Sequence, residues 1–111
     1  MRIMEHTFTL DMTKFYLLKI IFKNEFFFYI SDQKKSFEDL TLLVQTKFED
    51  LPLKRNIMWG GIEMPTQIES FSKMLCKKLQ KPIYFSCSLG SKDVDFNQVI
   101  QNSKQFFLES I

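Results

Sequence analysis

The sequence predicts an α+β domain whose mainly antiparallel sheet of about five to six strands carries two helices packed on one face. Three observations carry this expectation. Strand-like segments fill the first half of the chain, and a helical period of apolar residues appears only after Pro65 and again after Gly90. The two strongest strand segments are apolar on both faces. Two helices, each about 10 Å across, cover about four strands at ~4.8 Å spacing, and so only one face. The other face is expected to be apolar and used for dimerisation, because soluble monomers rarely keep a large apolar patch in water.

The elements follow in chain order. "HTFTL" (residues 6–10) alternates as a short strand, and "DMT" turns the chain. In residues 14–22, Phe15, Leu17 and Ile21 oppose Tyr16, Leu18, Ile20 and Phe22. The polar "KNE" leads into a second such strand, where Phe26, Phe28 and Ile30 oppose Phe27 and Tyr29, so the two form a hairpin. "SDQKKS" is a polar loop. "DLTLLVQTKF" fits a strand or a helix, and the alternation of Leu40, Leu42 and Val44 favours the strand. "LKRNIMW" reads as a further strand before the turn at Gly60-Gly61.

After Pro65, Thr66 with Glu69 three residues on matches a capping box, in which Thr66 would stand before the helix and satisfy its free N–H groups. Ile68, Phe71, Leu75 and Leu79 then share a face, widened by Met74, until Pro82 forbids continuation. "PIYFSCSL" alternates as a strand: Ile83, Phe85, Cys87 and Leu89 against Tyr84, Ser86 and Ser88. The last segment places Phe96, Val99, Ile100 and Phe107 on one helical face, with Asp93 and Asp95 suited to the positive end of the helix dipole. The whole, residues 1–111, is read as a single domain.

Composition narrows the function. The net charge of +2 is too small to single out nucleic acid or a membrane surface as partner, and no motif for either accompanies it. Glu5, His6 and Asp11 fall where the apolar core of a signal peptide would be needed. Lys19, Lys23, Asn24 and Glu25 interrupt the Phe15–Ile30 stretch, so no bilayer span is expected. Two cysteines fit a reducing compartment, and the expected location is cytoplasm or nucleus.

Catalytic chemistry is not indicated. The single His, His6, begins a strand beside Glu5. Cys76 adjoins Lys77 and Lys78, which lower a thiol pKa in an open site, yet its helical position places it at the edge of the apolar stripe. Two Cys and one distant His do not make a zinc site. Asp39, Glu49, Asp50, Asp93 and Asp95 fall in turns and caps. No Gly-rich phosphate loop, cofactor site or small-molecule substrate site is expected. Trp59 reads either as an exposed anchor or as core at a strand end.

The succession "HTF", "FFYIS", "FEDLPLKRNIMWG", "FSKMLCKKLQKPIYFSCSL" and "DFNQVIQNSKQFFLE" resembles the proteasome assembly chaperone 4 family over residues 6–109. The sequence departs from that family in the short "GIEMPT" connection and in Met74 and Cys76. The resemblance implies a non-catalytic protein that pairs with proteasome assembly chaperone 3, or with itself when alone. Such a pair holds proteasome α subunits while the α ring of the 20S particle assembles. Tyr16, Leu18, Ile20, Phe22, Phe27 and Tyr29 are the candidate interface residues, although alternation leaves open which set of side chains faces the partner. Lys34, Lys35, Lys54, Arg55 and Trp59 are the candidates for holding the client. Two rival readings are a roadblock or longin-like scaffold subunit and a small RNA-binding domain.

Overall fold

The computed structural model describes residues 1–32, 39–47, 50–58, 64–89 and 95–109, apart from the side chain of Met58. The elements are β1 (Arg2–Leu10), β2 (Thr13–Ile21), β3 (Phe26–Ser31), β4 (Leu40–Val44), β5 (Leu53–Met58), α1 (Thr66–Leu79), β6 (Ile83–Ser88) and α2 (Phe96–Leu108). One six-stranded sheet runs in the order β1-β2-β3-β6-β4-β5. Four of its pairings are antiparallel and β3–β6 is parallel, so the sheet is mixed and mainly antiparallel. Both helices lie on one face, giving the α+β architecture expected. The parallel pair arises because β6, arriving from α1, inserts between β3 and β4 rather than at an edge.

β1 starts at Arg2, earlier than the alternation from His6 suggests, because the whole stretch finds partners in β2 from Arg2↔Ile21 to Leu10↔Thr13. Asp11 and Met12 link these strands with φ of 47° and 69°. Two left-handed residues are what a two-residue hairpin with the right strand twist requires, and Asp tolerates that region better than Met does. The β2–β3 connection is closed by the Phe22 N–H donating to the Glu25 carbonyl at 2.9 Å, so Phe22 sits just beyond β2.

The helix starts divide in outcome. Thr66 is the first residue of α1, not its cap; Pro65 holds that place with φ −55° and ψ 144° and no side-chain cap bond. The proline's restricted φ sets the entry one residue earlier than the Thr66–Glu69 spacing implies. Glu69 instead forms an ion pair with Lys54 of β5. α2 is capped as its sequence suggests: Asp95 Oδ1 accepts from the Asn97 and Gln98 N–H groups at 3.1 and 3.4 Å. At the far end of α1, Gln80 takes a left-handed conformation and its N–H donates to the Cys76 carbonyl.

The core fills the layer between sheet and helices. Phe15, Leu17, Phe28, Ile30, Ile83 and Phe85 meet Ile68, Phe71 and Leu75 of α1 and Val99 and Phe107 of α2, all buried. Phe107 is the central ring: it stacks on Phe28 at 4.6 Å and meets Phe85 edge-on at 6.5 Å. Ser72 and Ser103 are fully buried, and their hydroxyls donate to the Glu69 and Val99 carbonyls of their own helices.

One charged residue belongs to this layer. Lys19, on the helix-facing side of β2, is only 1% exposed. Its ammonium donates to the Phe106 carbonyl at 2.8 Å and the Glu109 carbonyl at 3.3 Å, and lies 5.3 Å from the Phe106 ring centre. It therefore satisfies the carbonyls that α2 leaves open at its negative end. Burial holds its pKa below the usual lysine value, against the opposing pull of Glu109.

Candidate functional site

Strand alternation decides what the helix-free face of the sheet presents. With Phe15, Leu17 and Phe28 pointing to the helices, Tyr16, Leu18, Ile20, Phe27 and Tyr29 must point the other way. The registers align them in rows. Ile3, Ile20, Phe27, Tyr84 and Leu42 form one row across five strands, ending at Arg55 of β5. The next row runs Glu5, Leu18, Tyr29, Ser86, and the third Thr7, Tyr16, Ser31, Ser88. On the other side of the apolar row, Val44 stands beside Leu53.

The face is thus graded: apolar in the row from Ile3 to Leu42 and on toward Val44 and Leu53, mixed in the next, and hydroxyl-rich where β3 and β6 end. At that polar end Asp39 takes over from the ladder. β4 pairs with β6 only from Thr41 to Leu43. Beyond it, Asp39 Oδ1 accepts from the Cys87 N–H and from the Ser86 hydroxyl, each at 3.1 Å. Burial raises the Tyr29 pKa, opposed by a hydrogen bond with Ser31 and reinforced by the nearby Asp32, so its phenol stays neutral. Lys14 lies 5.3 Å from the Tyr16 ring centre.

Neither α1 nor α2 covers these rows. Ile3 is 59% exposed and Leu53 53%. Phe22 is exposed as well, and Tyr16, Leu18, Ile20, Phe27, Tyr29, Leu42 and Tyr84 are half-buried. A face about 24 Å wide by about 20 Å tall, with its side-chain relief, approaches the ~800 Å² that each partner contributes to a standard interface.

All six residues named from sequence as interface candidates lie on or beside this face. The sequence reading missed Ile3, Leu42, Tyr84 and Leu53, which complete it. Alternation in "PIYFSCSL" and "LTLLV" carried the signal for Tyr84 and Leu42. The register needed to place them in the same row as Phe27 was not readable.

The other candidates are not brought together. Lys54 and Arg55 are neighbours in β5 and point to opposite faces: Lys54 to Glu69 of α1, Arg55 into the row of Leu42. Lys34, Lys35 and Trp59 lie outside the described residues. His6 points to the helix side and stacks on Phe106 at 5.5 Å. Cys76 is buried and Cys87 half-buried, and burial pushes both thiols up. Among the described residues no group of three or more His, Cys, Asp or Glu is placed to hold a metal ion, and no helix is long and apolar enough to cross a membrane.

No protein-family model matches the chain, and no curated protein matches it. A solved structure does. It belongs to the crystal structure of a novel chaperone complex for yeast 20S proteasome assembly. The similarity has a TM-score of 0.65 and covers 96% of this chain and 99% of that one, at 13% identity. The likeness is one of fold over essentially the whole chain.

Proposed function

We propose that this chain is a non-catalytic subunit of a chaperone for 20S proteasome assembly. It pairs through its helix-free sheet face with a related chain similar to proteasome assembly chaperone 3, or with a second copy when that chain is absent. The pair holds α subunits while their ring forms, in the cytoplasm or nucleus. The observation that carries this reading is the uncovered apolar face on a fold shared with a chain of the yeast assembly complex. Each large side chain on that face gains roughly 1.5–3 kcal/mol on full burial. That gain favours a lasting partner of the same breadth, which a second sheet supplies.

The client then binds elsewhere. A chaperone that releases its client uses smaller and more polar contacts than an obligate pair does. The test is capture of the tagged chain from its native cells after mild cross-linking. The expected result is a related small chain together with proteasome α subunits, and no mature 20S particle. Capture of small-GTPase regulators, or of RNA, in place of α subunits would overturn the reading in favour of a scaffold subunit or an RNA-binding domain.

A further inference from the structure

Charge is not spread evenly along the strand direction. β2 and β4 end, and β3, β5 and β6 begin, at the pole where α1 terminates. The parts are tied together there. The Phe26 N–H donates to the Pro82 carbonyl at 3.0 Å, the Cys76 thiol lies 3.5 Å from the Lys81 carbonyl, and Lys81 stands 5.6 Å over the Phe26 ring. Exposed Lys23, Lys47, Lys77, Lys78 and Lys81 meet at this pole against Glu25 and Asp50. At the opposite pole the described residues reverse the balance, with Asp11, Asp32, Asp39 and Asp95 against Lys14. Among the described residues, the lysines that surround the end of α1 thus gather at one pole of a chain whose net charge is only +2.

The basic pole also has a shape. Between the last turn of α1 and the end of β4 lies a groove of about 420 Å³, lined by Gln45, Thr46, Lys47, Asp50, Lys77 and Gln80. The Thr46 hydroxyl has no hydrogen-bond partner among the described residues. Lys54 and Lys73 are matched by Glu69. Lys47, Lys77 and Lys78, by contrast, meet no carboxylate at ion-pair distance among the described residues. Lys77 and Lys78 offset the negative end of α1, but that role needs only the last helical turn. Lys23, Lys47 and Lys81 come from three separate connections.

We infer that this groove and its lysines form a docking surface for an acidic segment of a protein partner. Lysine ammoniums are point charges that meet carboxylates without demanding a fixed geometry. Single-stranded nucleic acid would call for aromatic side chains interleaved with the cations, and among the described residues none that lines the groove is aromatic. The groove includes Lys77 and Gln80 at the end of α1, on the helix side of the sheet, opposite the face proposed to pair. It stands whatever the identity of the pairing partner.

The test is fluorescence anisotropy with the full chain, using a short labelled Glu/Gly peptide and a short oligouridine of equal charge as probes. The peptide is expected to bind at low salt and to weaken as ionic strength rises, since the contacts are exposed. Reversal of three charges (Lys47→Glu, Lys77→Glu, Lys78→Glu) is expected to raise its Kd about tenfold or more. Lys104→Glu on α2 leaves the Kd unchanged. Lys→Gln at the same three positions gives a smaller loss in the same direction and guards against a folding defect, which circular dichroism reads directly. Absence of peptide binding, an equal loss in Lys104→Glu, or tighter binding of oligouridine than of peptide would overturn the assignment.

Discussion

Two adjacent phenylalanines test the division of labour between the sheet faces. Phe28 points into the core, fully buried and stacked on Phe107 at 4.6 Å. Phe27 points the other way, between Ile20 and Tyr84 in the apolar row. Phe28→Ala removes a core ring and leaves a cavity, at a cost of about 3–5 kcal/mol. A domain with a total stability of roughly 5–15 kcal/mol loses much of its fold by that change. Phe27→Asp removes a ring only half-buried within the subunit, so folding loses about 1 kcal/mol. Pairing suffers more. It loses the remaining burial, about 1–1.5 kcal/mol, and places a carboxylate against an apolar surface at a further cost of about 2 kcal/mol or more. The sum of about 3 kcal/mol or more weakens pairing at least ~100-fold. Urea unfolding measures the first quantity, and sedimentation velocity or titration calorimetry with the partner subunit measures the second. Unchanged pairing by Phe27→Asp would refute the reasoning, as would a folding loss equal to that of Phe28→Ala.

Other substitutions probe the supporting structure. Lys19→Ala strands the Phe106 and Glu109 carbonyls at the end of α2 and is expected to cost about 1–3 kcal/mol, with faster hydrogen exchange confined to the last turn of that helix. Met12→Gly relieves a left-handed residue in the β1–β2 turn and is expected to raise stability by about 1 kcal/mol in a thermal melt. The thiol of Cys87 titrates higher in the folded chain than its ordinary 9.0, so the stability that the protonated thiol supplies is complete below that value and shrinks as pH rises above it. Urea midpoints from pH 8 upward are therefore expected to fall less steeply for Cys87→Ser than for the parent chain.

The two-sided strands were legible because alternation is a local signal: Phe15, Leu17 and Ile21 separate from Tyr16, Leu18 and Ile20 by position alone. The same rule divided the helical segments into core and solvent faces. What stayed hidden was set by contacts distant in sequence. Lys19 reads locally as an interruption of an apolar run, yet it is buried because the end of α2, 87 residues on in the case of Phe106, brings it carbonyls. The Thr66–Glu69 spacing fits a capping box. Pro65 pre-empts the cap, and Lys54 from β5 takes the carboxylate. Lys54 and Arg55 read as one basic pair until strand geometry sends them to opposite faces. The open face itself could be half drawn from sequence, because only the insertion of β6 between β3 and β4 brings Tyr84 and Leu42 beside Phe27.

The most direct test of the pairing face is a photo-reactive benzoylphenylalanine placed singly at Phe27 and, as the control, at Gln101 on the exposed side of α2. Each form is irradiated in complex with the second subunit, and the products are separated by mass. A covalent product with the second subunit from position 27 and none from position 101 is the expected result. A product from position 101 alone would place the partner on the helices and contradict the account.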